Sequence, residues 1–167
     1  MPHYQTDKLP SAAAPTQLAR EFRSQIGEIR AALLTLPAAC ADTRLREDGW
    51  TGREIVGHLL DSASNNRHRF VLATIQGSYT GPGYAQDDWV AVHGYARQPW
   101  ETLLRWWQAE HELLASLVDA IPEERLQTIC IVGDNEPVTL SFLIEDYVAH
   151  QRHHLAQLVA VSQLIPS

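Results

Sequence analysis

The chain is poor in several things that would announce a function. It has only two cysteines, Cys40 and Cys130, far apart and in no Cys-x-x-Cys spacing, so neither a disulfide framework nor a thiolate zinc knot is expected. Both read as structural thiols in a reducing compartment. No apolar run approaches the roughly 18 residues needed to cross a bilayer. The opening Met1-Pro2-His3-Tyr4-Gln5 lacks the basic and apolar regions of a secretory signal, so the expected location is the cytoplasm. Basic residues are scarce as well: 13 Lys and Arg against 20 Asp and Glu give a net charge of −7, which argues against binding a phosphate backbone. Familiar catalytic signatures are missing too. There is no His-Glu-x-x-His, no Glu-x-x-His pair of the di-iron bundles, no Gly-x-Ser-x-Gly elbow and no phosphate-binding glycine loop.

What is present is ordinary globular composition, with 45% hydrophobic residues in 167, enough for one self-sufficient core. Residues 1–15 read as a loosely held lead-in and 16–167 as a single domain. Four long amphipathic helices are expected. The first runs from about Thr16 to Leu36, with Leu18, Phe22, Ile26, Ile29 and Leu33 at three- and four-residue steps, and Pro37 stops it. The second opens at Thr51, with Glu54 completing a capping box, and ends near Gly77. A long connection follows, with a turn at Gly81-Pro82-Gly83 and one short helix from Asp87 to His93. The third helix starts at Pro99 and stops at Pro122. Residues 127–138 suggest a short β-hairpin, and the last helix runs from about Thr139 to Leu164. The expected architecture is therefore all-α, a four-helix bundle with short early loops, one long crossover between helices 2 and 3, and a small hairpin before helix 4. Trp100, Trp106 and Trp107 spread over more than one side of helix 3, which suits a homodimer, although core packing also accounts for Trp107.

The last helix carries the chemistry. Its expected core series is Leu140, Tyr147, His154 and Val161, with Leu143, His150, Gln157 and Leu164 as partner series. Residues four apart differ by only about 40° around a helix, so His150 and His154 can converge on one ion. His153 competes with His154 but falls beside the stripe. A third ligand must come from another helix. His58 is the best candidate, on a polar stripe of His58, Asp61, Ser62, Asn65 and Arg69 in helix 2. That stripe is what a cavity wall looks like, and equally what a solvated face looks like; the residues alone leave both readings open.

Two stretches then carry a resemblance. Gly49-Trp50-Thr51-x-x-Glu54-Ile55-x-x-His58-Leu59-x-Asp61, together with His150-x-x-His153-His154-x-x-Gln157-Leu158, resembles the DinB/YfiT-like superfamily of metal-binding four-helix bundles. Gln86-Asp87-Asp88-Trp89-Val90 and Trp100-x-x-Leu103 are similar to one branch of it. The resemblance implies that His58, His150 and His154 hold one divalent ion, nickel or zinc. It also implies activities such as low-molecular-weight thiol transfer, thiol-dependent isomerisation or hydrolysis. Three neutral imidazoles leave the ion's charge and one position open, the arrangement of catalytic sites. Asp61 and Gln157 are then the expected catalytic residues, and Asn65 and Arg69 the expected pocket residues around a small-molecule substrate or thiol. The alternative is a non-catalytic bundle that binds a metal or a small molecule.

Overall fold

The computed structural model describes residues 15–165, so most of the expected lead-in at 1–15 lies outside the described residues. Four long helices are present: α1 (Gln17–Leu34), α2 (Gly52–Gln76), α4 (Trp100–Asp119) and α5 (Leu140–Gln163), with a short α3 (Gln86–His93) between α2 and α4. Thr16 caps α1 by accepting from Ala19 N–H, and Thr139 caps α5 by accepting from Phe142 N–H. The capping box at the start of α2 forms as expected. Thr51 Oγ1 accepts from Glu54 N–H while the Glu54 carboxylate accepts from Thr51 N–H. At the other end, Gly77 takes the left-handed conformation (φ 72°) that terminates α2 without a Cβ penalty.

The bundle is all-helical in its core, and its connectivity departs from a simple up-and-down arrangement. Both α1 and α2 pack against α4 and α5, so α1 and α2 lie diagonally opposite. The link between them therefore spans the bundle, which corrects the expectation of short early loops. It holds a 3₁₀ turn at Ala38–Ala41 and a β-bridge between Arg44 and Thr51. The core is continuous, with Phe22, Ile29 and Leu33 of α1, Leu59 and Phe70 of α2, Leu103, Trp107 and Leu114 of α4, and Leu140, Ile144 and Leu158 of α5 all buried. Trp100 and Trp107 belong to it, and only Trp106 of the tryptophan-rich face is exposed. No helix among the described residues is long and apolar enough to cross a membrane.

The expected hairpin is one part of a three-stranded sheet. Strand β2 (Ile129–Val132) pairs antiparallel with β3 (Val138–Thr139), and on its other edge pairs parallel with β1 (Ser78–Gly81). In that register Tyr79 faces Cys130, and Gly133 N–H donates to Gly81 O at 2.8 Å. The sheet ties the exit of α2 to the entry of α5, the two helices that carry the histidines.

In α2 every residue from Ile55 to Ala63 is buried. A helix buried on all sides has neighbours all round: α4 and α5 cover one side, α3 and the Tyr95–Arg97 turn another. Gly57 makes the second of these contacts possible, because a Cβ there would run into the Tyr95 ring. Gly57→Ala is accordingly expected to destabilise the protein by about 1–3 kcal/mol through overpacking, read as a lower midpoint in urea. An unchanged midpoint would mean that Tyr95 gives way at no cost.

Candidate metal centre

His58 lies on the enclosed stretch of α2 and is 1% exposed, which resolves the two readings of the polar stripe in favour of an interior wall. Facing it, α5 presents His150 and His154 one turn apart. The three Nε2 atoms point at one another. His58 Nε2 is 2.9 Å from His150 Nε2, His154 Nε2 is 3.1 Å from His150 Nε2, and the three ligand atoms all lie within 4.8 Å of one another. A tetrahedral zinc site with Zn–N bonds of about 2.0–2.1 Å would hold its nitrogens roughly 3.3 Å apart. His153 stays on the exposed rim.

The proton positions make the case for a cation. Gln157 Oε1 lies 2.9 Å from His154 Nδ1, so with the amide in this orientation Nδ1 carries the proton and donates, while Gln157 Nε2 lies 3.2 Å from His153 Nε2. His154 Nε2 is therefore a bare lone pair facing inward. His150 Nδ1 lies 3.4 Å from Ser62 Oγ. With neutral rings, His150 Nε2 offers either one proton or one lone pair, so it can serve one of its two imidazole contacts and not both. One contact is left without a good hydrogen bond, and a positive ion among the three lone pairs removes that conflict. The rings are held neutral. Burial, then the neighbouring His154 and His150, pushes His58 down to about 3; burial, His154 and His153 push His150 down to about 4; burial lowers His154.

The other expected site residues fall in different places. Asp61 is buried one turn after His58. Its Oδ1 accepts from Tyr95 O–H at 2.7 Å and lies 3.0 Å from His93 Nδ1, while its Oδ2 is buried without a partner. Burial raises its pKa against the lowering effect of those two partners. Asp61 thus anchors Tyr95 and His93 behind the site and lines neither cavity described below. Gln157 touches His154 and the rim. Asn65 turns back on its own helix, donating to Asp61 O at 2.9 Å, and it is Asn66, 9% exposed, that reaches the interior. Arg69 does line the site.

Two cavities meet at His150. The larger, about 750 Å³, is walled by Arg46, Trp50, Asp87, His153, His154 and Gln157 among others. A second, about 420 Å³, runs along α2 past His58, Ser62, Asn66 and Arg69 and is lined on its other side by Tyr84, Val132 and Asn135. Trp50 packs 4.8 Å from the His58 ring and Tyr84 6.5 Å from it. Burial pushes the Tyr84 phenol up to about 12, so it stays an O–H donor at neutral pH. Composition and periodicity gave no hint of Trp50, Tyr84 or Gln86 as lining residues; Trp50 and Gln86 stand inside the stretches that carried the family resemblance.

The fold and these geometries agree with what the chain is similar to. Residues 17–158 match the DinB superfamily, and the chain belongs to it. A relative from Oceanobacillus iheyensis bearing the name "Putative metal-dependent hydrolase" is 29% identical over 113 residues, which make up 68% of this chain and 65% of that protein. Among solved structures, YfiT from Bacillus subtilis, described as a probable metal-dependent hydrolase with an unusual four-helix bundle topology, superposes with a TM-score of 0.79 at 23% identity, covering 93% of this chain and 91% of its own. A mycothiol-dependent maleylpyruvate isomerase superposes with a TM-score of 0.70 at 14% identity, over 85% of this chain and 59% of its own. Likeness at these identities establishes the fold alone.

The buried neutral imidazoles predict a pH dependence for the metal-free protein. Burial lowers the folded pKa of His111, held between Trp107 O and Tyr147 O–H, to about 4, and it lowers those of the site histidines too. The unfolded chain takes up these protons near pH 6.5 while the folded chain refuses them until about pH 4. Stability is therefore full above pH 6.5 and lost as pH falls toward 4, on the order of 3 kcal/mol for His111 alone. Asp61, whose pKa burial raises, acts in the opposite sense. Melting temperature should begin to fall near pH 6.5, above the range where carboxylates titrate; a flat profile down to pH 5 would contradict the neutral, enclosed imidazoles.

Proposed function

We propose that this chain is a metal-dependent enzyme in which His58, His150 and His154 hold one divalent ion, nickel or zinc, through their Nε2 atoms. One observation carries the reading: three neutral imidazoles from two helices aim their Nε2 atoms at one point, where His150 Nε2, with one proton or one lone pair, faces two neighbours at once. Such an ion, held by neutral ligands with a position open, lowers the pKa of a water or low-molecular-weight thiol beside it toward neutrality.

The chain's own groups do the positioning. Gln157 Oε1 favours the His154 tautomer protonated on Nδ1, and Ser62 Oγ lies within reach of His150 Nδ1 on the side away from the ion. Trp50 and Tyr84 wall the histidines with rigid aromatic surface that keeps bulk water from the reacting group. Asp61 is a positioning residue in this reading: it holds His93 at the end of α3 and Tyr95 in the turn after it against α2. Two cavities meeting at His150 offer space for two reactants, which supports thiol transfer as readily as hydrolysis.

Zinc- and nickel-loaded protein assayed with p-nitrophenyl esters, and with monochlorobimane plus cysteine or glutathione, tests the reading. Turnover without thiol identifies a hydrolase, and turnover only with thiol a transferase. Either should drop to the metal-free background in His150→Ala. Silence in both panels with the metal bound would favour a non-catalytic binding bundle.

A further inference from the structure

The smaller cavity has at its far end a charge that forms no ion pair among the described residues. His58, Ser62, Asn66 and Arg69 follow one another turn by turn along α2. Eleven residues bring Arg69 round to nearly the same face as His58, about 16 Å further along the axis. Side chains lean toward the N-terminus of their helix, and Arg69 does so: its Nη1 donates to Asn66 Oδ1 at 3.3 Å and its Nη2 to Pro82 O at 3.5 Å. It is only 8% exposed, yet it belongs to none of the ion pairs among the described residues. Its two partners are neutral and distant. Buried arginines ordinarily meet a carboxylate or phosphate, because desolvating the guanidinium is otherwise unfavourable.

We propose that Arg69 is the anchor for a carboxylate of the substrate or co-substrate, held at the sheet end of the cavity while the reactive end lies beside His58 and His150. The proposal rests on the metal-centre reading for what occupies that other end. A planar guanidinium suits a carboxylate through two parallel N–H···O bonds. The neutral side chains of Asn66 and Asn135 line the same space. Asp146, also on that wall, is exposed and unpaired with Arg69, and its negative charge disfavours a dianion such as a phosphate monoester.

Calorimetric titration of the zinc-loaded protein with benzoate, benzamide and phenyl phosphate tests this, repeated on metal-stripped protein and on Arg69→Met and Arg69→Lys. Benzoate is expected to bind about tenfold more tightly than benzamide, with and without zinc, and the ratio to fall to about one in Arg69→Met. Should that variant fail to fold, Arg69→Lys keeps the charge without the fork, and its ratio should fall part of the way. Equal affinity for benzoate and benzamide, or a ratio unchanged in the Arg69 variants, would overturn the proposal. So would a preference that needs zinc and ignores Arg69, which would put the carboxylate on the ion, or an Arg69-dependent preference for phenyl phosphate. The two readings fail separately. Protein that never retains zinc loses the metal centre while the stripped titration still reports on Arg69; a lost benzoate preference with zinc retained removes the anchor alone.

Discussion

His150→Ala is expected to lower affinity for zinc by roughly 100- to 1000-fold, since it removes one of three ligands. His150 is the hinge of the cluster, since it alone makes both short Nε2 contacts, to His58 and to His154. Gln157→Leu should act more gently, by about 10- to 100-fold, because it frees the His154 ring without removing the ligand. His153→Ala should change affinity by less than about threefold, since that imidazole is exposed and touches the site through the Gln157 amide and the edge of the His154 ring without being a ligand. Competition against a chelating dye ranks the variants. Equal losses in His153→Ala and His150→Ala would move the ligand set onto the rim and sink the present one.

Trp107→Ala should cost about 3–5 kcal/mol of stability, the largest loss expected from any single truncation in the core. The indole is 1% exposed, stacks on His111 with centroids 3.8 Å apart, and donates from Nε1 to Gln151 Oε1 at 3.0 Å. Truncation leaves a cavity and strips Gln151 of its partner, when the Nε2 of that buried amide already has none. Trp106→Ala, at a side chain 48% exposed, should stay within about 1 kcal/mol. Urea denaturation of both variants distinguishes them, and comparable losses would place the core on the wrong face of α4.

Much of this was legible in the residues. Apolar spacing, the capping box at Thr51, and Pro37, Pro99 and Pro122 located the four long helices, because burial of one face and the treatment of helix ends are local matters. The core series Leu140, Tyr147, His154, Val161 is buried throughout. Its companion is not the expected Leu143, His150, Gln157, Leu164, of which Leu164 is exposed; it is Ile144, Gln151 and Leu158 on the other side. A core glutamine whose carbonyl is met by an indole is invisible to hydrophobic periodicity, and His150 and Gln157 sit where the core opens into cavities. Asn65 and Asn66 differ by one residue, or about 100° of helix, too fine a distinction when a stripe has polar residues on both sides. Strand β1 was hidden because its parallel partner is some fifty residues away. The diagonal placing of α1 and α2 was hidden too, since periodicity reports which face is buried and not against which helix. Arg69 was legible as a pocket residue, but its lack of a counter-charge needed the fold.

X-ray absorption at the zinc edge of protein loaded with one equivalent puts the coordination itself to the question. Imidazole rings from α2 and α5 around a single ion should give a nitrogen shell at about 2.0–2.1 Å with the outer scattering of three histidine rings. A sulfur shell at about 2.3 Å, or oxygen neighbours with no ring scattering, would mean the ion goes elsewhere and that His58, His150 and His154 meet for some other reason.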